Sequence, residues 1–318
     1  MNSSYGWWNV KRTPNEPCWC GSGLKYKHCH RDIDGSSKEE FVGAARRVYA
    51  RNWRKNAQDF VAQGCYQWMS SLLFKYSPKK ILDVGCGEGS HIISMLKCGS
   101  DSDIEILSLE ENPECINKSI GNLENAGCKP AAIRRMQVVA QDEKNYYIGI
   151  EQGKLTKQSN ILLVEADILL DDSDLLKFLG EMAPFDAVTV WLIGTHMARQ
   201  NCLNLAQLNI RSNGEYRLRV QNKIYEISDM LLRPGGILQI VDRTEVPDEE
   251  SKEDFMRAHK EQASVTSLVV KEIDHIIYNE SEGARRVTMK PTLGTSGQVR
   301  DLSRVAMTSI ISQKPGAC

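Results

Sequence analysis

Residues 81–91 read ILDVGCGEGSH, an apolar run that stops at Gly85, Gly87 and Gly89 and resumes with helix-forming residues. A short apolar run bounded by glycines reads as a buried strand. The glycines let a ligand approach the backbone, and the helix that follows offers unpaired N–H groups. That combination calls for a nucleotide-like cofactor. The spacing is G-x-G-x-G with Ser90 next, which departs from the G-x-G-x-x-G of dinucleotide folds, and the G-K-S/T of a P-loop is missing.

Working outward from this turn, strands and helices alternate from residue 80. KKILDVGC, DIEILSLEE, NILLVEAD, FDAVTVWLIG and ILQIVDR read as strands, SHIISMLKCG and PECINKSIGNLENAG as helices, and a further helix ends at SDMLLRPGG. Such alternation implies a parallel sheet covered on both faces. DHIIYN and RVAMTSIISQKP offer further strands that can close the sheet as an antiparallel pair. Two stretches exceed what the sheet needs. Around residues 134–157 the sequence alternates about DEKN and predicts an inserted β-hairpin; HMARQNCLNLAQLNIRSNGEYRL after the fourth strand predicts a loop over the active site.

The turn LDVGCGEG resembles the first motif of class I S-adenosylmethionine (SAM) dependent methyltransferases. Three further landmarks follow in that family's order: the acidic LSLEENPE, VEADIL, and LLRPGG at residues 231–236. The resemblance spans roughly residues 60–314 and implies an α/β fold, a Rossmann-like seven-stranded methyltransferase sheet with helices on both faces. It also implies a set of SAM contacts. These are Asp83, Gly85, Cys86, Gly87 and Gly89 in the first motif; Glu110, with Glu111 as the alternative, on the ribose hydroxyls; and Asp167 and Ile168 about the adenine. A carboxylate accepts two hydrogen bonds from a vicinal diol, which is why the residue type matters at Glu110. Trp191 either lines the methionine end of the cofactor or fills the sheet core. Members that methylate adenine N6, cytosine N4 or glutamine amides typically carry Asn, Asp or Ser followed by Pro-Pro and an aromatic at the end of the fourth strand. TVWLIGTH does not match this, and the Pro-Cys of cytosine-C5 enzymes is absent there. His196 sits where a side chain could act as base on a hydroxyl, thiol or imidazole; its alternative is a loop histidine paired with a neighbour.

Nearer the start, PCWCGSGLKYKHCH (residues 17–30) holds three cysteines and two histidines. Cys18, Cys20, Cys29 and either His28 or His30 can supply the four ligands of a tetrahedral zinc site at little loop-closure cost. With Ser22, the pattern resembles the SEC-C motif of the SecA translocation motor, over roughly residues 14–31. The resemblance assigns zinc to Cys18, Cys20, Cys29 and His30. Four protein ligands leave no open position, so the zinc is expected to be structural. The expected organisation is a zinc-binding motif at 1–35 and a methyltransferase domain at 36–318.

Ser36 and Ser37 followed by Glu39 and Glu40 predict a capping box into a helix bearing Phe41, Ala45 and Val48, and a second helical face carries Val61, Cys65, Trp68 and Leu72. Between them RRVYARNWRKN interleaves Tyr49 and Trp53 with positive charge, either a solvated helix face or a substrate-facing lid. Residues 1–60 hold eleven Lys/Arg and six Asp/Glu in a chain of net charge −1. The basic end is therefore the expected meeting place for an anionic partner. SEC-C motifs are associated with docking to macromolecules, which implies a protein or ribonucleoprotein substrate recruited through the knuckle and basic helix. A small-molecule methyltransferase or a non-catalytic SAM-binding adaptor are the alternatives. No run of about 18 apolar residues could span a bilayer and no apolar leader core opens the sequence, so a cytoplasmic protein with its thiols reduced is expected.

Overall fold

The computed structural model describes residues 12–18, 25–99, 103–210, 212–279 and 305–316. In chain order the helices are α1 (Arg31–Asp34), α2 (Phe41–Ala62), α3 (Cys65–Phe74), α4 (Ser90–Cys98), α5 (Pro113–Asn125), α6 (Ser173–Met182), α7 (Asn213–Leu231) and α8 (Glu249–Ala263). The strands are β1 (Lys80–Val84), β2 (Glu105–Glu110), β3 (Ala131–Ile133), β4 (Met136–Ala140), β5 (Tyr146–Ile150), β6 (Ile161–Glu165), β7 (Phe185–Trp191), β8 (Leu232–Glu245), β9 (Val269–Tyr278) and β10 (Val305–Gln313).

The main sheet runs β3-β6-β2-β1-β7-β8-β10-β9. Each neighbouring pair is parallel except that β10 is antiparallel to both β8 and β9. Leaving out β3, this is the third-second-first-fourth-fifth-seventh-sixth order of the class I methyltransferase fold, with its reversed last strand. The sheet has eight strands rather than the expected seven, because β3 adds a three-residue parallel edge to β6. β4 and β5 form the expected hairpin as a separate two-stranded sheet.

Two cores flank the sheet, one on α3, α4 and α5 and the other on α6, α7, α8 and the hairpin. Helix α2 belongs to both. Its Phe41, Val42, Ala45 and Val48 join the second core, while Trp53, Ala57 and Phe60 join the first. It is a single helix through the basic stretch, which was expected to separate two helices. Ala45, Val48, Trp53 and Ala57 give it a buried stripe, leaving Arg47, Arg51 and Arg54 exposed. The break comes at Gly64, whose φ of 72° starts α3, so Val61 stays on α2 and is exposed rather than on the face of α3. The capping differs too: Glu40 is the N-cap of α2, and the Ser37 hydroxyl accepts its N–H at 3.3 Å. Among the described residues no helix is long and apolar enough to cross a membrane.

Candidate cofactor site and metal centre

Parallel strands place their loops at the carboxyl edge, and a cavity opens there between the β1 turn, the ends of β2 and β7, and α2. Gly85, Gly87 and Gly89 take φ of 96°, 48° and 81°, the left-handed region that side chains avoid. A Cβ on Gly85 would lie 2.6 Å from Ile193, and one on Gly87 2.6 Å from Trp53 Nε1. The turn is thus a cradle closed by other side chains.

Glu110 ends β2 on the cavity wall. One carboxylate oxygen accepts the Gly87 N–H at 3.0 Å and the other the Asn112 N–H at 3.0 Å. Burial, with the adjacent Glu111 charge, pushes its pKa from 4.5 up to about 8. Glu111 also lines the cavity and goes the other way. Burial alone would raise it, but His196, Arg46 and Arg199 outweigh that and hold it well below the usual carboxylate range. Its oxygens accept from Arg46 Nη2 at 3.3 Å and Thr195 Oγ1 at 3.2 Å, and its main-chain carbonyl accepts from Arg46 Nη2 at 3.1 Å.

His196 is fully buried and does not line the cavity; its Nε2 lies 3.4 Å from Glu111 Oε1, an electrostatic contact, and its Nδ1 has no hydrogen-bond partner. Asp167 and Ile168 also line the cavity. Asp167 Oδ1 accepts the Leu169 N–H at 2.8 Å, and its other oxygen is ion-paired with Arg199. Trp191 lines the cavity and is 4% exposed, and its Nε1 donor has no partner. Leu192, next along the wall, is held at φ 55°, a strained conformation of the kind that collects at functional sites.

Three residues of the first motif lie off the wall. Asp83 is wholly buried and accepts from His91 Nε2 at 3.1 Å, Ser108 Oγ at 2.6 Å and Thr189 Oγ1 at 2.8 Å, so it braces β1 against β2, β7 and α4. Cys86 is buried beneath the turn, and Gly89 packs on Ser119 of α5.

The basic stretch, read from the sequence as either a solvated helix face or a substrate-facing lid, lies in α2, which closes the cavity. Tyr49 and Trp53 stack in parallel, 6.4 Å apart, and both line it; Tyr49 Oη lies so close to Gly194 that a Cβ there would sit 2.8 Å away. Their four-residue spacing inside the basic stretch was the available signal. With these rings in place the cavity measures about 50 Å³, far below the roughly 300–1,000 Å³ of small-molecule sites. Residues able to hold a diol-bearing cofactor are all present: a carboxylate at the end of β2, a side-chain-free turn and an orphaned indole N–H. A bound cofactor would have to take the place of the α2 rings.

At the other end of the chain, Cys18 Sγ and Cys29 Sγ lie 3.2 and 3.1 Å from His30 Nδ1, and all three side chains are buried. These donors can hold a metal ion, and their softness suits zinc. Cys20 and Ser22 lie outside the described residues. His28 is exposed on a 3-10 turn and is not part of the group. Helix α1 follows directly, and its Ile33 packs into the core shared with α2, while Arg51 reaches Asp32 at 3.4 Å.

Residues 15–32 match the model of the SEC-C motif. This segment is a SEC-C motif. Twenty residues are 75% identical to protein translocase subunit SecA of Pseudomonas putida, over 6% of this chain and 2% of SecA. The chain thus spans about 2% of the length of the curated relatives it matches. Among solved structures, it is similar to the N-methyltransferase NodS of Bradyrhizobium japonicum in complex with S-adenosyl-L-homocysteine (SAH). That match is 10% identical, covers 77% of this chain and 85% of NodS, and has a TM-score of 0.37. It is also similar to the cyclase SpnF, 11% identical over 79% of this chain and 81% of SpnF, with a TM-score of 0.42. The fold assignment rests on the strand order rather than on these distant likenesses.

Proposed function

We propose that this protein is a SAM-dependent methyltransferase acting on a protein or ribonucleoprotein acceptor, which the SEC-C motif and the basic face of α2 help to recruit. The observation that carries the reading is Glu110 at the carboxyl end of β2, its carboxylate on the Gly85–Gly89 turn of a methyltransferase-type sheet. The cofactor would supply a methyl group made electrophilic by its sulfonium. Such transfer is an in-line displacement, so the chain's work is alignment, plus a base where the acceptor carries a proton. Glu110 would hold the ribose hydroxyls, and Trp191, whose Nε1 is unpartnered, would line the methionine end. His196, buried off the cavity wall with Nε2 3.4 Å from Glu111 Oε1, is the candidate base. His196→Ala is expected to abolish transfer and leave SAH affinity intact; near-normal turnover removes it from the mechanism.

Support for recruitment comes from continuity: the SEC-C motif is tied to α2 by Ile33 and Asp32, and α2 carries Arg47, Arg51 and Arg54 on its outer face. The decisive assay incubates zinc-replete protein with methyl-tritiated SAM and an extract of its host lacking the gene, then separates label by size and by protease and nuclease sensitivity. Label in a macromolecular fraction is expected. Label in small molecules alone reduces the knuckle to a brace. SAH binding with no label at all makes the chain a cofactor-sensing adaptor. Deleting residues 1–35 should weaken the apparent affinity for the macromolecule, and an unchanged affinity sinks the recruitment role.

A further inference from the structure

Beyond the cofactor cavity a second cleft of about 400 Å³ opens in the segment that follows β7, between two 3-10 turns, Met197–Asn201 and Leu203–Leu208. Arg199, Gln200, Asn201, Cys202 and Asn209 contribute its polar wall, and Arg199 is the one charged residue among those that line it. The Arg199 side chain is 1% exposed. Its guanidinium is ion-paired with Asp167 and lies 5.6 Å over the Tyr216 ring, and both partners belong to the cofactor cavity. Arg199 therefore stands between the two spaces.

Arg199 Nε and Nη1 are buried and have no hydrogen-bond partner. Tyr146, delivered by the inserted hairpin, is 1% exposed with its hydroxyl likewise unpartnered, and it lies in the electrostatic field of Arg199 and Cys202. The hairpin is fixed there by Asn204, whose side chain accepts the Ile148 N–H at 2.7 Å and donates to the Ile148 carbonyl at 3.2 Å. A bridge pairs Tyr146 with Cys202. Buried polar groups in folded proteins are nearly always satisfied. A guanidinium offers only donors, so its missing partner is an acceptor, and beside a buried cation an anionic oxygen is the favoured one.

We infer that Arg199 and Tyr146 form a subsite for an oxyanion, a carboxylate or phosphate, of the methyl acceptor. The assignment to the acceptor rests on the methyltransferase reading; the oxyanion site does not.

The test uses full-length, zinc-loaded protein with sodium acetate and sodium phosphate as probes, against sodium chloride of equal ionic strength. Either probe at about 20 mM is expected to raise Tm by roughly 2 °C or more. General salt stabilisation is common to all variants, so the signal is the difference from Arg199→Gln. Because that change strands Asp167, the double variant Asp167→Asn/Arg199→Gln and the near-isosteric Tyr146→Phe accompany it. The specific shift should vanish in the first two and shrink in the third. A response to acetate alone marks a carboxylate, and one to phosphate alone a phosphate. Equal shifts in wild type and variants, or none in wild type, overturn the subsite. In the methyl-label assay the effective probe should compete with the extract and not with SAM, and competition with SAM instead overturns the acceptor assignment. Failure of the protein to bind SAH in plain chloride would sink the cofactor reading while leaving the thermal-shift result to stand by itself.

Discussion

Replacing Glu110 with Gln should make the protein more stable at alkaline pH while weakening its hold on cofactor. Glu110 titrates near 8 in the folded protein against an ordinary 4.5, because burial and Glu111 oppose its charge. Between those values the folded chain keeps a proton that the unfolded chain has released, so stability falls as pH rises through this window and is flat on either side. Each pH unit costs about 1.4 kcal/mol, which puts the penalty of the ionised carboxylate at about pH 9 on the order of 4 kcal/mol. Gln removes that penalty but turns an amide N–H toward either Gly87 or Asn112, which costs about 1–3 kcal/mol at every pH. Urea unfolding of both proteins at about pH 5 and about pH 9 should therefore show the Gln variant gaining roughly 4 kcal/mol relative to wild type across the range. At about pH 9, where Glu110 is ionised, the same variant should bind SAH at least about tenfold more weakly, since a diol donates more strongly to a carboxylate than to an amide. A stability difference flat to within about 1 kcal/mol would refute the burial argument. Undiminished SAH affinity would refute the role on the ribose.

Metal analysis of purified protein should give about one zinc per chain, and Cys29→Ser should lose it together with the structure of the SEC-C segment while the thermal transition of the sheet persists. Asp83→Asn should cost about 2–4 kcal/mol in urea unfolding, because three buried donors lose a charged acceptor, with SAH affinity within about threefold of wild type; a larger binding loss would make Asp83 a cofactor contact rather than a brace. Gly87→Ala should abolish SAH binding by calorimetry, since its φ of 48° and the 2.6 Å approach of Trp53 leave no room for a methyl group.

Most of the fold was readable because buried parallel strands are unbroken apolar runs and their glycine and proline punctuation is local. KILDV, EILSLE and ILLVE announce themselves, and LLRPGG marks where α7 gives way to β8. β3 did not, because Ala131–Ile133 is three residues of modest hydrophobicity whose strand character comes from pairing with β6. A pairing partner thirty residues away supplies no local signal. The continuity of α2 was hidden for a different reason: exposed arginines interrupt the apolar residues within the basic stretch, and its buried stripe shows only when Ala45, Val48, Trp53 and Ala57 are read as one helical face.

The site divides along the same line. The glycine turn and Glu110 are linear motifs, legible because one short segment must do the whole task. Asp83 was legible in identity but not in role, although strand parity held the answer. Leu82 and Val84 face the core of α6 and α7, so Asp83 shares with Ile81 the side toward α3 and α4, away from the cavity that Val84 lines. The remaining chemistry is made of pairs that only the fold creates: Arg46 with Glu111, Arg199 with Asp167, and Tyr146 beside Cys202. None of these has a spacing to recognise, because α2, the segment after β7 and the inserted hairpin arrive from separate parts of the chain. Binding a charged group away from water requires a partner charge at short range. In this protein the partners come from α2, the segment after β7 and the inserted hairpin, which the sheet brings together at its carboxyl edge.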